Sequence, residues 1–121
     1  MTVRVQEGDG VALVRLSGLV TAEDGVGPLR TLIVGLLQQG SENIVLDLRQ
    51  VTEIDSSGLA ELITSHEAAA ERGGELKLAR LPGSLEQVLR ITRLDRLFPI
   101  FADEREASRS FPTPAAGRLA A

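Results

Sequence analysis

Two adjacent serines, Ser56 and Ser57, lie in the segment of the chain best suited to chemistry. They belong to residues 51–59 (VTEIDSSGL), between a strand-like run and the start of a helical pattern. The first N–H groups of a helix lack intrahelical partners and the helix dipole is positive there, so negative charge is favoured. A serine hydroxyl at this place can therefore cap the helix or carry a phosphate. Asp55 and both serines are also common capping residues, and spacing alone favours that structural role.

Other kinds of catalytic site fit the sequence poorly. A serine hydrolase needs a base to activate its hydroxyl, and the elbow motif G-x-S-x-G is absent. The single histidine, His66, falls about two and a half turns beyond Ser57. It lies on or beside an apolar helix stripe, which indicates a partly buried packing residue rather than a base.

Metal and cofactor sites also lack their usual residues. One histidine and no cysteine argue against a transition-metal site. No phosphate-binding or dinucleotide glycine motif is present, so no cofactor is expected. Asp47 resembles a phospho-accepting aspartate only in position, since no acidic pair follows the first strand to hold a metal. We therefore predict structural roles for Asp47 and Asp55, the latter holding its loop by hydrogen bonds.

Composition narrows the class of protein further. The 121 residues suffice for one compact domain, and the net charge of −4 with three phenylalanines as the only aromatic residues argues against nucleic-acid binding. No apolar run approaches the ~18 residues of a membrane span. The N-terminal residues lack the pattern of a signal peptide, and cysteine is absent. We expect a cytoplasmic protein that neither inserts into membranes nor binds nucleic acid directly.

Short apolar and alternating segments predict the strands. The first two form a hairpin around Gly8-Asp9-Gly10, and Ser17-Gly18 ends the second. Pro99 places the last strand at a sheet edge. The strands are predicted at residues 3–5, 11–16, 43–48, 76–78 and 98–101.

Helical spacing of apolar residues predicts the helices that alternate with these strands. The third helix has Ser84 as its N-cap and Leu85, Val88 and Leu89 as its inner stripe, and Asp103 caps a final short helix. The three longer helices are predicted at residues 28–39, 59–72 and 84–92. This order of elements is typical of an α/β domain with a mixed sheet.

The string IDSSGL at residues 54–59 resembles the signature loop of the STAS domain family. It follows the strand-like run NIVLDL and precedes an amphipathic helix that ends in Gly73-Gly74. Ser17-Gly18, the strand entry GGELKL and the apolar positions of residues 88–98 also fit, so the resemblance spans residues 3–110. One departure is Ala60, where many members carry a second glycine.

This resemblance implies a fold and a domain organisation. The fold is a single STAS-type domain at residues 1–111, with a mixed central sheet of about five strands and helices packed against it. Residues 112–121 have nothing to bury and are expected to form a disordered tail.

The resemblance also implies a function, that of a non-enzymatic anti-sigma factor antagonist. In such proteins the serine after the motif aspartate is phosphorylated, which here is Ser56, with Ser57 as the fallback. Asp55, Ser56, Ser57, Gly58 and Leu59 would form the partner-binding loop and helix start. The implied partners are an anti-sigma factor that is also a GHKL-type serine kinase, and a serine phosphatase. The alternative is a scaffolding STAS subunit of a lipid or anion transport complex.

Overall fold

Five strands form one mixed sheet in the part of the chain that the computed structural model describes, residues 1–8, 10–24 and 27–111. The sheet order follows the chain order, β1-β2-β3-β4-β5. Strand β1 is antiparallel to β2, and every other neighbouring pair is parallel. The strands are β1 Thr2–Gly8, β2 Val11–Val20, β3 Asn43–Ile54, β4 Glu75–Ala79 and β5 Ile100–Phe101. The predicted α/β class with a mixed sheet is confirmed.

Helices provide the crossovers that parallel strands require. Three of them, α1, α2 and α3, each connect two parallel strands and bury their apolar stripes against one face of the sheet. The fourth, α4, follows β5 and covers part of the opposite face. The helices are α1 Gly27–Gln38, α2 Ser56–Glu71, α3 Gly83–Ile91 and α4 Glu104–Arg109. None of these described helices combines the length and apolarity needed to span a bilayer.

The face under α4 has a small core of its own. Val45 and Ala79 from the sheet pack against Ala107 and Phe111. Lys77 is buried beside them, with its ammonium 4.0 Å from the ring centroid of Phe111. Cation–π contact and apolar burial therefore attach the chain to the sheet as far as residue 111. The predicted tail, residues 112–121, and the turn residue Asp9 lie outside the described residues.

Strands β2 and β3 are longer than the sequence predicts. The strand expected to end before Ser17-Gly18 continues to Val20, and the one expected to end at Leu48 continues to Ile54. Irregular pairing between β2 and β3 accommodates Gly18, whose φ of +87° suits glycine. The exposed polar residues of this extension hid it from a search for apolar runs.

The helix boundaries also differ from prediction in two places. Helix α2 begins at Ser56 rather than at Leu59. The prediction of Ser84 as the N-cap of α3 is wrong: Pro82 holds that position, with no side-chain cap. Extended Pro82 supplies the carbonyl that accepts the first helical bond, from the Glu86 N–H, so no serine is needed. Val88 is 36% exposed rather than part of the inner stripe.

Candidate functional site

Asp55 joins the end of β3 to the start of α2 and is the N-cap of that helix. Its Oδ1 accepts a hydrogen bond of 2.9 Å from the Gly58 N–H, and its Oδ2 accepts one of 3.0 Å from the Ala22 N–H. The bond from Ala22, followed by the one from Gly58, holds the pKa of Asp55 below its usual range. The carboxylate thus fixes the helix start and also ties it to the segment after β2. The structural role predicted for Asp55 is confirmed.

Gly58 allows the start of α2 to lie directly against the end of β2. A Cβ at this position would come within 2.2 Å of the Val20 carbonyl oxygen and 2.6 Å of Ile54 Cγ1. Both distances are far below van der Waals contact, so no larger residue fits without movement of the backbone. Gly58 is therefore required by close approach rather than by its dihedral angles.

Ser56 and Ser57 differ in their access to solvent. Ser56, the first residue of α2, is exposed, whereas Ser57 is half-buried. Neither hydroxyl has a hydrogen-bond partner among the described residues. Leu59, the last residue predicted for this loop, is half-buried and packs against the main core. A phosphate donor or a docked protein would thus reach Ser56 most readily.

The end of β2 forms the other side of this surface, a contribution that the sequence analysis missed. Val20 accepts a 3.4 Å bond from the Asp55 N–H, and Leu19 beside it is 38% exposed. Leu19 and Glu53 are direct cross-strand partners in the parallel β2–β3 pair. Local sequence could not show that the end of β2 contacts the start of α2, because residues such as Ala22 and Asp55 are 33 positions apart in the chain.

His66 packs against Phe98 farther along α2. The two ring centroids are 5.3 Å apart in an edge-to-face arrangement, and the histidine is half-buried. The neighbouring residue Ser65 is fully buried. The prediction of a packing role for His66 is confirmed.

Asp47 belongs to an ionic network on the opposite face of the sheet. It is 2% exposed and accepts hydrogen bonds from the Arg80 side chain and from the Arg49 N–H. Glu104, at the start of α4, is held by both Arg80 and Arg15. Burial raises the pKa of Asp47, whereas hydrogen bonds from Arg15 lower the pKa of Glu104 to about 2. Asp47 is structural, as predicted.

The chain is similar in sequence and in fold to known proteins that are named anti-sigma factor antagonists. A curated anti-sigma F factor antagonist of Paenibacillus polymyxa is 24% identical over 107 residues, which cover 88% of this chain and 92% of the relative. The crystal structure of an anti-sigma factor antagonist from Mycobacterium paratuberculosis superposes with a TM-score of 0.79 at 23% identity, over 90% of this chain and 92% of that one.

The Bacillus anti-sigma factor antagonist SpoIIAA has been solved both unphosphorylated and phosphorylated. The phosphorylated form superposes with a TM-score of 0.69 at 18% identity, over 98% of this chain and 99% of that one. The unphosphorylated form gives a TM-score of 0.67 at 17% identity, over 98% of both chains. These structures share the fold described above.

A family model described as "Mlab, STAS domain" matches residues 3–99. That range includes β1 except its first residue, all of β2 to β4, the helices α1 to α3, and the whole Asp55–Gly58 connection. The chain therefore belongs to the STAS domain family.

Proposed function

We propose that this protein is an anti-sigma factor antagonist that docks through the start of α2 and is switched off by phosphorylation of Ser56. In the unphosphorylated form it binds an anti-sigma factor, a GHKL-type serine kinase, in the cytoplasm and so releases a sigma factor. A serine phosphatase restores the binding form. The domain itself acts by binding and catalyses no reaction.

One observation carries this proposal: Ser56 is exposed at the first position of α2, directly after an aspartate that is fixed by two backbone bonds. The serine is thus presented on rigid backbone, with a hydroxyl that makes no competing hydrogen bond among the described residues. A kinase requires such access, and a regulatory phosphate at a helix start is compatible with the helix dipole. The relatives named as anti-sigma factor antagonists support the choice of partner.

Phosphorylation is tested by incubating the protein with ATP and each GHKL-type serine kinase of its native organism in turn, followed by phosphopeptide mapping. We expect a single phosphate on Ser56. The Ser56→Ala variant should accept none, and the Ser57→Ala variant should be phosphorylated as the wild type is. Ser84→Ala, at an exposed serine of α3, is the matched control. Phosphate on Ser57 alone, or on neither serine, would refute the assignment.

The alternative, a scaffolding STAS subunit of a lipid or anion transport complex, draws on the fold shared with a sulfate transporter family protein from Wolinella succinogenes. It uses the same surface but needs no phosphate. Affinity purification of the tagged chain from its native cells separates the two: recovery of the kinase supports the antagonist, and recovery of a transport ATPase or permease without the kinase supports the scaffold.

A further inference from the structure

A polar pocket lies on the face of the sheet that carries α4, away from the Asp55–Gly58 connection. Its volume is about 390 Å³, and none of residues 55–59 lines it. It lies over two rows of cross-strand neighbours in β1, β2 and β3. The rows are Arg4–Arg15–Asp47 and Thr2–Ser17–Gln50, and Arg80 closes the side nearest α4.

The side chains around this pocket offer hydrogen-bond donors that no protein group uses. The side chains of Arg4, Ser17 and Gln50 donate no hydrogen bond to any protein group among the described residues. Arg15 directs Nε and Nη2 to Glu104, which leaves Nη1 with only a 3.4 Å contact to Gln6. These donors converge on one cavity, and such convergence is what distinguishes a ligand site from a solvated sheet face.

Charge in the pocket has the sign that suits an anion. Three guanidinium groups, those of Arg4, Arg15 and Arg80, stand against two carboxylates, those of Asp47 and Glu104. One positive charge is therefore in excess, in a protein whose net charge is −4. A metal cation would be repelled, and an apolar ligand would leave the donors unpaired.

Two of the three arginines, Arg15 and Arg80, are held in place by carboxylates of the protein. Arg80 binds Asp47 and Arg15 binds Glu104, so neither loses much side-chain freedom on binding an anion. The backbone of Arg80 adopts φ +53°, in the left-handed region that residues other than glycine seldom occupy. Its N–H bonds to the Phe101 carbonyl, which holds this strained conformation in place. Strain of this kind often marks a functional position.

We propose that this pocket binds a small phosphate monoester. Arginine side chains pair with phosphate oxygens through two parallel N–H donors, and the Ser17, Thr2 and Gln50 side chains supply neutral donors beside them. The volume exceeds what a free phosphate fills and falls in the usual range for small-molecule sites, so the organic part of the ligand occupies the remainder. This site shares no lining residue with the Asp55–Gly58 connection, so it does not rest on the proposed function.

The test is a titration of the ¹⁵N-labelled full chain, followed by NMR at constant ionic strength, with inorganic phosphate and with glycerol 3-phosphate. We expect saturable shifts confined to residues of β1, β2 and β3 near the pocket and to Arg80. Arg4→Gln should weaken binding about tenfold, the effect of losing one charge-assisted bond. Arg4 is exposed and has no partner to lose, so this change leaves the fold intact.

Arg96→Gln is the matched control, because Arg96 is an exposed arginine outside the pocket, and it should bind as the wild type does. Shifts that fail to saturate by about 50 mM ligand, or an unchanged affinity in the Arg4→Gln variant, would refute the proposal that this pocket is a binding site. Binding of inorganic phosphate with exclusion of glycerol 3-phosphate would overturn the assignment to phosphate monoesters.

Discussion

Replacing Gly58 by alanine should destabilise the domain, although alanine is the better helix former. The new Cβ would lie 2.2 Å from the Val20 carbonyl oxygen, and that contact must open to at least 3.4 Å to become ordinary. The obstacle is backbone, so no side-chain rotation relieves it. Overpacking costs about 1–3 kcal/mol, and helix propensity returns about 1 kcal/mol of that. Because the clash is with backbone, the upper part of that range applies, and we expect a net loss of about 1–2 kcal/mol in the free energy of unfolding.

Gly35 in α1 provides the matched control. It is also a helical glycine, but nothing lies within 4 Å of the Cβ that alanine would add. Gly35→Ala should stabilise the domain by about 0.5–1 kcal/mol, because only the propensity gain remains. The two substitutions are chemically identical, but they should change the free energy of unfolding in opposite directions.

Thermal melting and urea titration of both variants measure this difference. Each kcal/mol should shift the melting temperature by about 3–6 °C in a chain of this size. Calorimetric titration with the anti-sigma factor, at a temperature where Gly58→Ala is folded, should also show weaker binding, because the shifted helix start moves Ser56. If Gly58→Ala melts as high as Gly35→Ala, the close packing of α2 on Val20 is not what fixes this site.

Three further predictions concern the switch, the ionic network and the tail. Ser56→Glu should melt as the wild type does yet bind the anti-sigma factor about a thousandfold more weakly in calorimetry, whereas Ser56→Ala should keep its affinity. The depressed pKa of Glu104 means that its ion pairs stabilise the fold fully above about pH 4.5 and lose this effect as the pH falls through about 2. Urea titrations should show at most about 3 kcal/mol of this loss, and Glu104→Gln should remove this contribution while leaving that of Asp55, whose pKa is also lowered. Truncation after Pro112 should change the free energy of unfolding by less than about 0.5 kcal/mol, as judged by the melting curve.

Periodicity in the sequence predicted the order and type of the elements because most of them bury a regular apolar face, the exposed strand β1 being the exception. Helix α1 was placed to within one residue at either end, since its stripe of leucines and isoleucine is uninterrupted. Apolar periodicity failed to predict segments that are held by backbone pairing between strands rather than by burial of apolar side chains. Strand β3 runs six residues past Leu48 because β2 extends beside it, and residues such as Arg49 and Gln50 carry no apolar signal.

The candidate site was predictable only in its local part. Asp55 and Ser56 could be recognised as capping candidates near a helix start from residue type, although the predicted start was three residues too late. The contacts that fix this start, from Val20 and Ala22, depend on sheet pairing across 33 residues. The pocket on the other face was equally hidden, because it assembles side chains from β1, β2, β3 and the residue after β4. No single stretch of sequence contains more than a small part of it.

The rigid attachment of α2 to β2 also determines how a phosphate at Ser56 could act. Asp55 and Gly58 leave the helix start no room to rearrange, so a phosphate there would be carried on an unchanged backbone. Within the domain its charge meets the positive end of the helix dipole, which is favourable by about 0.3–1 kcal/mol. Across a closed interface one contact with a like charge near 4 Å costs about 4 kcal/mol at an effective dielectric of 20. The interface effect exceeds the effect within the domain several times over, so the switch would operate on partner binding and leave the fold of the antagonist intact.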